Sequence, residues 1–153
     1  MNTSTTTDRT RTDLALLGLR LMLAAVFLFH GSQKLFAWFG GYGIEGTAGW
    51  MESIGIPFAT VSATLAGATE VLGGLALLTG VGVSLASIPL TFTMLVAAFT
   101  AHTGFDASAG GMEYPLTLAV AAAAIGLSGP GRFALRPASA GSGAAQPLAG
   151  SAS

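Results

Sequence analysis

The chain has 153 residues, 52% hydrophobic and only 8% charged, with a net charge of −1 and no cysteine. A soluble domain carries about a quarter charged residues, so this deficit, with a mean hydropathy of +0.69, points to a bilayer. The missing basic face excludes a nucleic-acid partner, and the missing thiols exclude disulfides, iron–sulfur clusters and thiolate metal sites.

Residues 1–12 (MNTSTTTDRTRT) are polar and are expected to form a disordered tail. The first apolar stretch runs from Leu14 to Phe36, near the ~20 residues that cross ~30 Å of hydrocarbon. Its first half has the character of a signal-peptide core. The stretch continues past His30 and Lys34 with no small-x-small cleavage site, so a retained helix is expected. Arg20, about 9 Å from the start of this span, is expected to snorkel toward headgroups.

The loop 40–57 carries Ile44, Trp50, Met51 and Ile54 at a spacing that predicts one side of a short interfacial helix, with Trp50 at headgroup level. Pro57 prepares the start of a second span, Phe58 to Leu78. Ala66, Gly67, Gly73 and Gly74 give that span a small-residue face for close helix approach. Thr79-Gly80-Val81-Gly82 is too short for anything but a tight antiparallel turn into a third span, Val83 to Ala101. Pro89 is tolerated there if neighbours satisfy the freed carbonyl. A fourth and shortest span, Tyr114 to Leu127, ends at Gly-Pro-Gly 129–131, and residues 137–153 form a second disordered tail.

The expected fold is therefore an all-α transmembrane four-helix bundle occupying residues 13–136. Arg9 and Arg11 precede the first span, and Arg132 and Arg136 follow the fourth. By the positive-inside rule both termini are cytoplasmic, as an even number of spans requires.

Ionisable groups in hydrocarbon are costly and mark functional sites by default. His30 and Lys34, four residues apart, share one helix face. His30 lies about 12 Å deeper than Trp38, and Glu70 reaches a similar depth in the second span. A carboxylate at mid-membrane has to be paired, protonated or facing water, and its expected partners are Lys34 or His30. His102 ends the third span and Glu113 opens the fourth on the same side. Glu70, His30 and Lys34 are thus candidate catalytic residues, and His102 and Glu113 candidate substrate contacts. Such a cluster suits proton relay, or hydrogen bonding to the carbonyls of a quinone. The unequal depths of His30 and His102 argue against a bis-histidine haem, and no His-x-x-x-His spacing supports a metal.

The segments "LRLMLAAVFLFHGSQKLF" (19–36), "GATEVLGGLALLTG" (67–80), "AAFTAHTGF" (97–105) and "GGMEYPLTL" (110–118), with a closing "GPGRFAL" (129–135), together resemble the DoxX family of small four-helix bacterial membrane proteins. The matching positions are His30, Gly31, Lys34, Glu70, Gly74, Gly80, His102, Gly104, Glu113 and Arg132. The closing segment departs from the family, whose members often have Ser-Leu-Asp after the arginine.

The resemblance implies a multi-pass protein of the bacterial cytoplasmic membrane, with some relatives named as subunits of a thiosulfate–quinone oxidoreductase and others tied to redox-stress complexes. The first functional reading is accordingly a membrane subunit of a quinone-linked oxidoreductase. Glu70 and His30 exchange protons with the quinone and Lys34 stabilises charge on its oxygen. Because the chain has no flavin or nucleotide motif and no metal-cluster ligands, electrons are expected to come from a soluble or membrane redox partner or from the substrate. The alternative is a non-enzymatic scaffold that anchors a soluble redox enzyme, with the polar cluster clamping helices; a small-solute or proton carrier is a third reading. Homo-oligomerisation is left open by the sequence.

Overall fold

Each apolar run of the sequence becomes one helix, because a backbone surrounded by hydrocarbon must satisfy its own N–H and C=O groups. The computed structural model describes residues 3–135. It contains α1 (Thr3–Phe36), α2 (Gly43–Ser53), α3 (Ala59–Thr79), α4 (Val83–Thr100) and α5 (Glu113–Ser128), with short 3-10 turns at Trp38–Gly40 and Ala107–Ala109 and no strand among the described residues. The tail expected over 137–153, and Arg136 with it, lies outside the described residues.

Among the described residues three helices are long and apolar enough to cross a membrane: α1 over Thr7–Phe36, α3 and α4. The fourth expected span, α5, has 16 residues, about 24 Å at 1.5 Å per residue, and is shorter than a full hydrocarbon crossing. It packs along α4 and also touches α1, which closes the ring α1–α3–α4–α5. All four contribute to one core, built around Phe27, Leu77, Leu90, Met94, Ala122 and Ile125.

The start of the chain differs from expectation. α1 begins at Thr3, so residues 3–12, read as a disordered tail, are instead its first turns. A helix already nucleated by its apolar stretch extends at the low cost of adding single residues. Thr12 supports those turns by donating its hydroxyl to the carbonyl of Asp8 at 3.1 Å.

α1 and α3 run antiparallel and very close, as their glycines show. A Cβ on Gly74 would meet Leu28, one on Gly67 would meet Leu35, and one on Gly31 would lie 2.9 Å from both the backbone N of Val71 and the Cβ of Glu70. Of the small residues expected on the second span, Gly67 and Gly74 form the α1 contact, joined by Gly31 from the other side, whereas Gly73 meets Leu90 of α4 and Ala66 packs on the α2 side. Gly31→Ala is expected to force the two helices apart and cost about 1–3 kcal/mol, read as a lowered thermal midpoint in detergent. Unchanged stability would mean that the helices are not packed backbone to backbone.

α2 lies across the end of the bundle where α1 ends and α3 begins, packed on both. Its buried stripe is Gly43, Thr47, Ala48 and Met51, which meets Ala63 of α3. Of the four residues expected along one side of this helix, Met51 turns into the protein, while Trp50 and Ile54 stay exposed, as contact with headgroups requires.

At the opposite end, where α1 begins and the 129–135 segment packs, Arg20 corrects the expected snorkelling. Its residue exposure is 0%. Nε donates to the carbonyl of Leu77 at 2.9 Å, one terminal nitrogen to Pro130 at 2.6 Å and the other to Leu78 at 3.4 Å. The last carbonyls of a helix have no intrahelical donor and carry the negative end of its dipole, so the guanidinium finds its partners inside the bundle. Gly80 ends α3 with φ +82°, and a Cβ there would meet both Ala134 and Arg20. Leu135 N donates to Thr79 O at 2.8 Å and Arg132 N to Asp13 Oδ1 at 3.1 Å. The Gly-Pro-Gly-Arg-Phe-Ala-Leu segment thereby closes this end.

Candidate functional site

The polar site forms where α1 ends beside α3. Lys34 stands in the last turn of α1, where a cation complements the helix dipole. Its Nζ donates to both carboxylate oxygens of Glu70, at 2.7 Å and 3.0 Å. Glu70 is only 2% exposed, while the lysine side chain keeps 25% of its surface accessible. The expected pairing of Glu70 is therefore made with Lys34, and the close approach through Gly31 and Gly67 makes it reachable.

Next to the pair lies a cleft of about 500 Å³ between the end of α1, the 40–42 segment and α2, lined by His30, Gln33, Lys34, Tyr42, Thr47 and Trp50 among others. Glu70 lines none of it, because Lys34 stands between the carboxylate and the opening. An ammonium has three protons; two go to Glu70, which leaves one for a ligand in the cleft. The carboxylate neutralises the lysine and fixes its position, so the wall offers a directed donor without a net charge. His30 supplies a second titratable group, and Trp50 with the 83%-exposed Tyr42 supplies flat aromatic surface.

The other two candidates lie elsewhere. His102 Nδ1 is 2.8 Å from the carbonyl of Ala97 and so caps the end of α4. Glu113 accepts from the backbone N of Ala107 at 2.9 Å and ties down the loop that opens α5. The same loop is pinned by Asp106, which accepts from both the backbone N and the hydroxyl of Ser108 at 2.9 Å. These hydrogen bonds hold the Asp106 carboxyl below its ordinary range. Neither His102 nor Glu113 lines the cleft.

Tyr114, like Gln33 and Tyr42 in the cleft, is a residue that sequence reasoning passed over. Its ring lies 6.4 Å from that of His30 in an edge arrangement, and Phe29 packs edge-on to the same imidazole at 5.4 Å. His30 is thus held between two aromatic rings with one side on the cleft. The available signal was the tyrosine directly after Glu113, at the start of a helix that returns to this end. Among the described residues no group of three His, Asp or Glu side chains converges as a metal site would require.

Comparison with known proteins identifies the family. The chain is 31% identical over 129 residues to an uncharacterized membrane protein of Mycobacterium tuberculosis, Rv3486, with 76% of each chain covered. No solved structure matches. The family model for DoxX matches residues 15–103, the span that holds His30, the Lys34–Glu70 pair, the whole lining of the cleft and the His102 cap. With more than half its length matched, this membrane protein belongs to the DoxX family.

Proposed function

We propose that this DoxX protein is the membrane subunit of a quinone-linked oxidoreductase or redox-stress complex, lying in the cytoplasmic membrane with both termini inside. The observation that carries the reading is a cleft whose wall presents a charge-neutralised lysine and a histidine beside aromatic surface. A quinone carbonyl accepts the free ammonium proton of Lys34, and the ring lies flat against Trp50 and Tyr42. His30 exchanges protons as the quinone is reduced. Glu70 acts through Lys34, by holding it, and does not itself touch the ligand. Two electrons and two protons convert a quinone to its hydroquinone; the electrons are supplied by a redox partner protein. His102 and Glu113 shape the loops of this end and leave the ring contacts to the cleft residues.

The test is the quinone content of protein purified in mild detergent, wild type beside Lys34→Met/Glu70→Gln. The double substitution removes the donor while keeping the buried interior uncharged. Stoichiometric quinone in the wild type and its loss in the variant are expected; equal background in both would overturn the reading.

A specific observation favours a second reading. Glu70 is sealed from the cleft and gives both oxygens to one lysine, as a clamp between α1 and α3 would. In that reading the protein is a non-enzymatic scaffold for a soluble redox enzyme, and both proteins in the quinone assay show background alone.

A further inference from the structure

A second cavity adjoins the first across a single turn of chain. It is a groove of about 430 Å³ on the outside of the α1–α3 pair, walled by Ala25, Phe29 and Phe36 of α1, Val71 of α3, and the rings of Trp38 and Phe39. It runs along the hydrocarbon-spanning part of α1 and is almost wholly apolar. The 3-10 turn between the two cavities serves both: Trp38 and Phe39 wall the groove, and Gly40 lines the cleft.

That turn is held in an unusual conformation. Ala37 (φ 57°) and Phe39 (φ 53°) both adopt left-handed backbone, which a residue with a Cβ disfavours and which persists only where its surroundings impose it. Here the imposing contacts are a stack of Phe39 on Phe29, with centroids 5.1 Å apart, and a hydrogen bond from Gln33 Nε2 to the Phe39 carbonyl at 3.3 Å. Gly41 then lies directly on the backbone of Gln33, where a Cβ would overlap it. These contacts hold the turn against α1, with the groove on one side of it and the cleft on the other.

We propose that the groove and the cleft are the two halves of one amphiphile site, with a quinone ring in the cleft and its isoprenoid tail crossing the turn into the groove. This rests on the quinone reading above and adds to it a tail subsite. A saturated acyl chain would find the same apolar surroundings in lipid as in the groove. A methyl-branched, unsaturated chain is stiffer and loses less freedom when laid against flat rings, and four of the groove's side chains are aromatic. That difference selects the isoprenoid.

The experiment uses the full chain in nanodiscs and three probes sharing one quinone ring: a long isoprenoid tail, a saturated tail of equal length, and a methyl group in place of a tail. Wild type is compared with Ala25→Trp, which fills the groove from its exposed, lipid-facing side without entering the core. Partitioning into the bilayer affects both proteins equally and cancels in the comparison. Ala25→Trp is expected to weaken the isoprenoid quinone by about threefold to tenfold, modest because the chain exchanges one apolar surrounding for another, and to leave the tail-less quinone unchanged. No change for either would place the tail in lipid and overturn the proposal, as would equal weakening of both, which would mark a disturbed ring site. A saturated tail as sensitive as the isoprenoid would make the groove a general acyl-chain seat and overturn the assignment. A wild type that binds no tail-less quinone would remove the ring reading, and the tail subsite with it.

Discussion

Lys34→Met alone is expected to destabilise the bundle by about 3–5 kcal/mol, the cost of leaving a buried charge without its partner. Glu70 is 2% exposed and both of its oxygens are held by the one ammonium, so removing the lysine leaves a carboxylate with nowhere to turn. Adding Glu70→Gln to the same chain is expected to restore most of the loss, because the pair is then replaced by neutral groups of similar volume. Thermal unfolding of the two single variants and the double variant in detergent closes a double-mutant cycle. A coupling near zero would mean that the pair does not hold α1 to α3. The cycle also separates the structural part of the pair from its part in ligand binding, since the double variant folds and still lacks the donor.

The second large effect is expected at the other end. Arg20→Met should cost about 3–5 kcal/mol, since hydrogen bonds to a charged donor contribute ~1.5–3 kcal/mol each and their loss strands buried acceptors. The stranded carbonyls are those of Leu77, Leu78 and Pro130, so the damage should include release of the 129–135 segment from the end of α3. The absence of cysteine in the chain allows a direct readout: Ala134→Cys should label slowly with a water-soluble maleimide in the parent and fast with Arg20→Met. Arg20→Lys should fall between them, because a lysine keeps the charge but lacks the planar fork that reaches three carbonyls at once. Equal labelling in all three would show that Arg20 does not hold the segment.

The two arginine and lysine sites show why reading depth alone misleads. Both residues interrupt α1, and both have the long stem that allows snorkelling. Lys34 was legible as one of two partners for Glu70, because the mid-membrane carboxylate had to be paired, protonated or wet and the helix spacing put His30 at its level with Lys34 one turn further out. The packing chose Lys34. Arg20 had no carboxylate to announce it. Its partners are backbone carbonyls, which every residue carries and no sequence marks. Only the packing of the 129–135 segment onto the end of α3 decides that they converge there.

His102 and Glu113 failed to join the cleft for a related reason. Depth along a helix follows from counting residues at 1.5 Å each, and both residues do lie at the α2 end. Whether they face one another is set by helix rotation and by the local loop. There a carbonyl of α4 and a backbone N of the 107–109 turn claimed them first. Tyr114 was reached by the same rotation and became the neighbour of His30.

The sequence by itself determined the helical, membrane-bound nature of this protein, the ends of its apolar helices to within a residue or two beyond Leu14, and that Glu70 had to be paired, protonated or wet. These follow from hydrocarbon length and from the cost of a lone charge, both of which act along the chain. The tertiary structure alone decided that the lysine screens the carboxylate from the cleft, that Arg20 turns inward, and that a strained turn at 37–41 divides an apolar groove from a polar pocket. Those outcomes depend on which helix faces meet, and close backbone packing through Gly31, Gly67 and Gly74 fixes that with a precision that residue spacing does not encode.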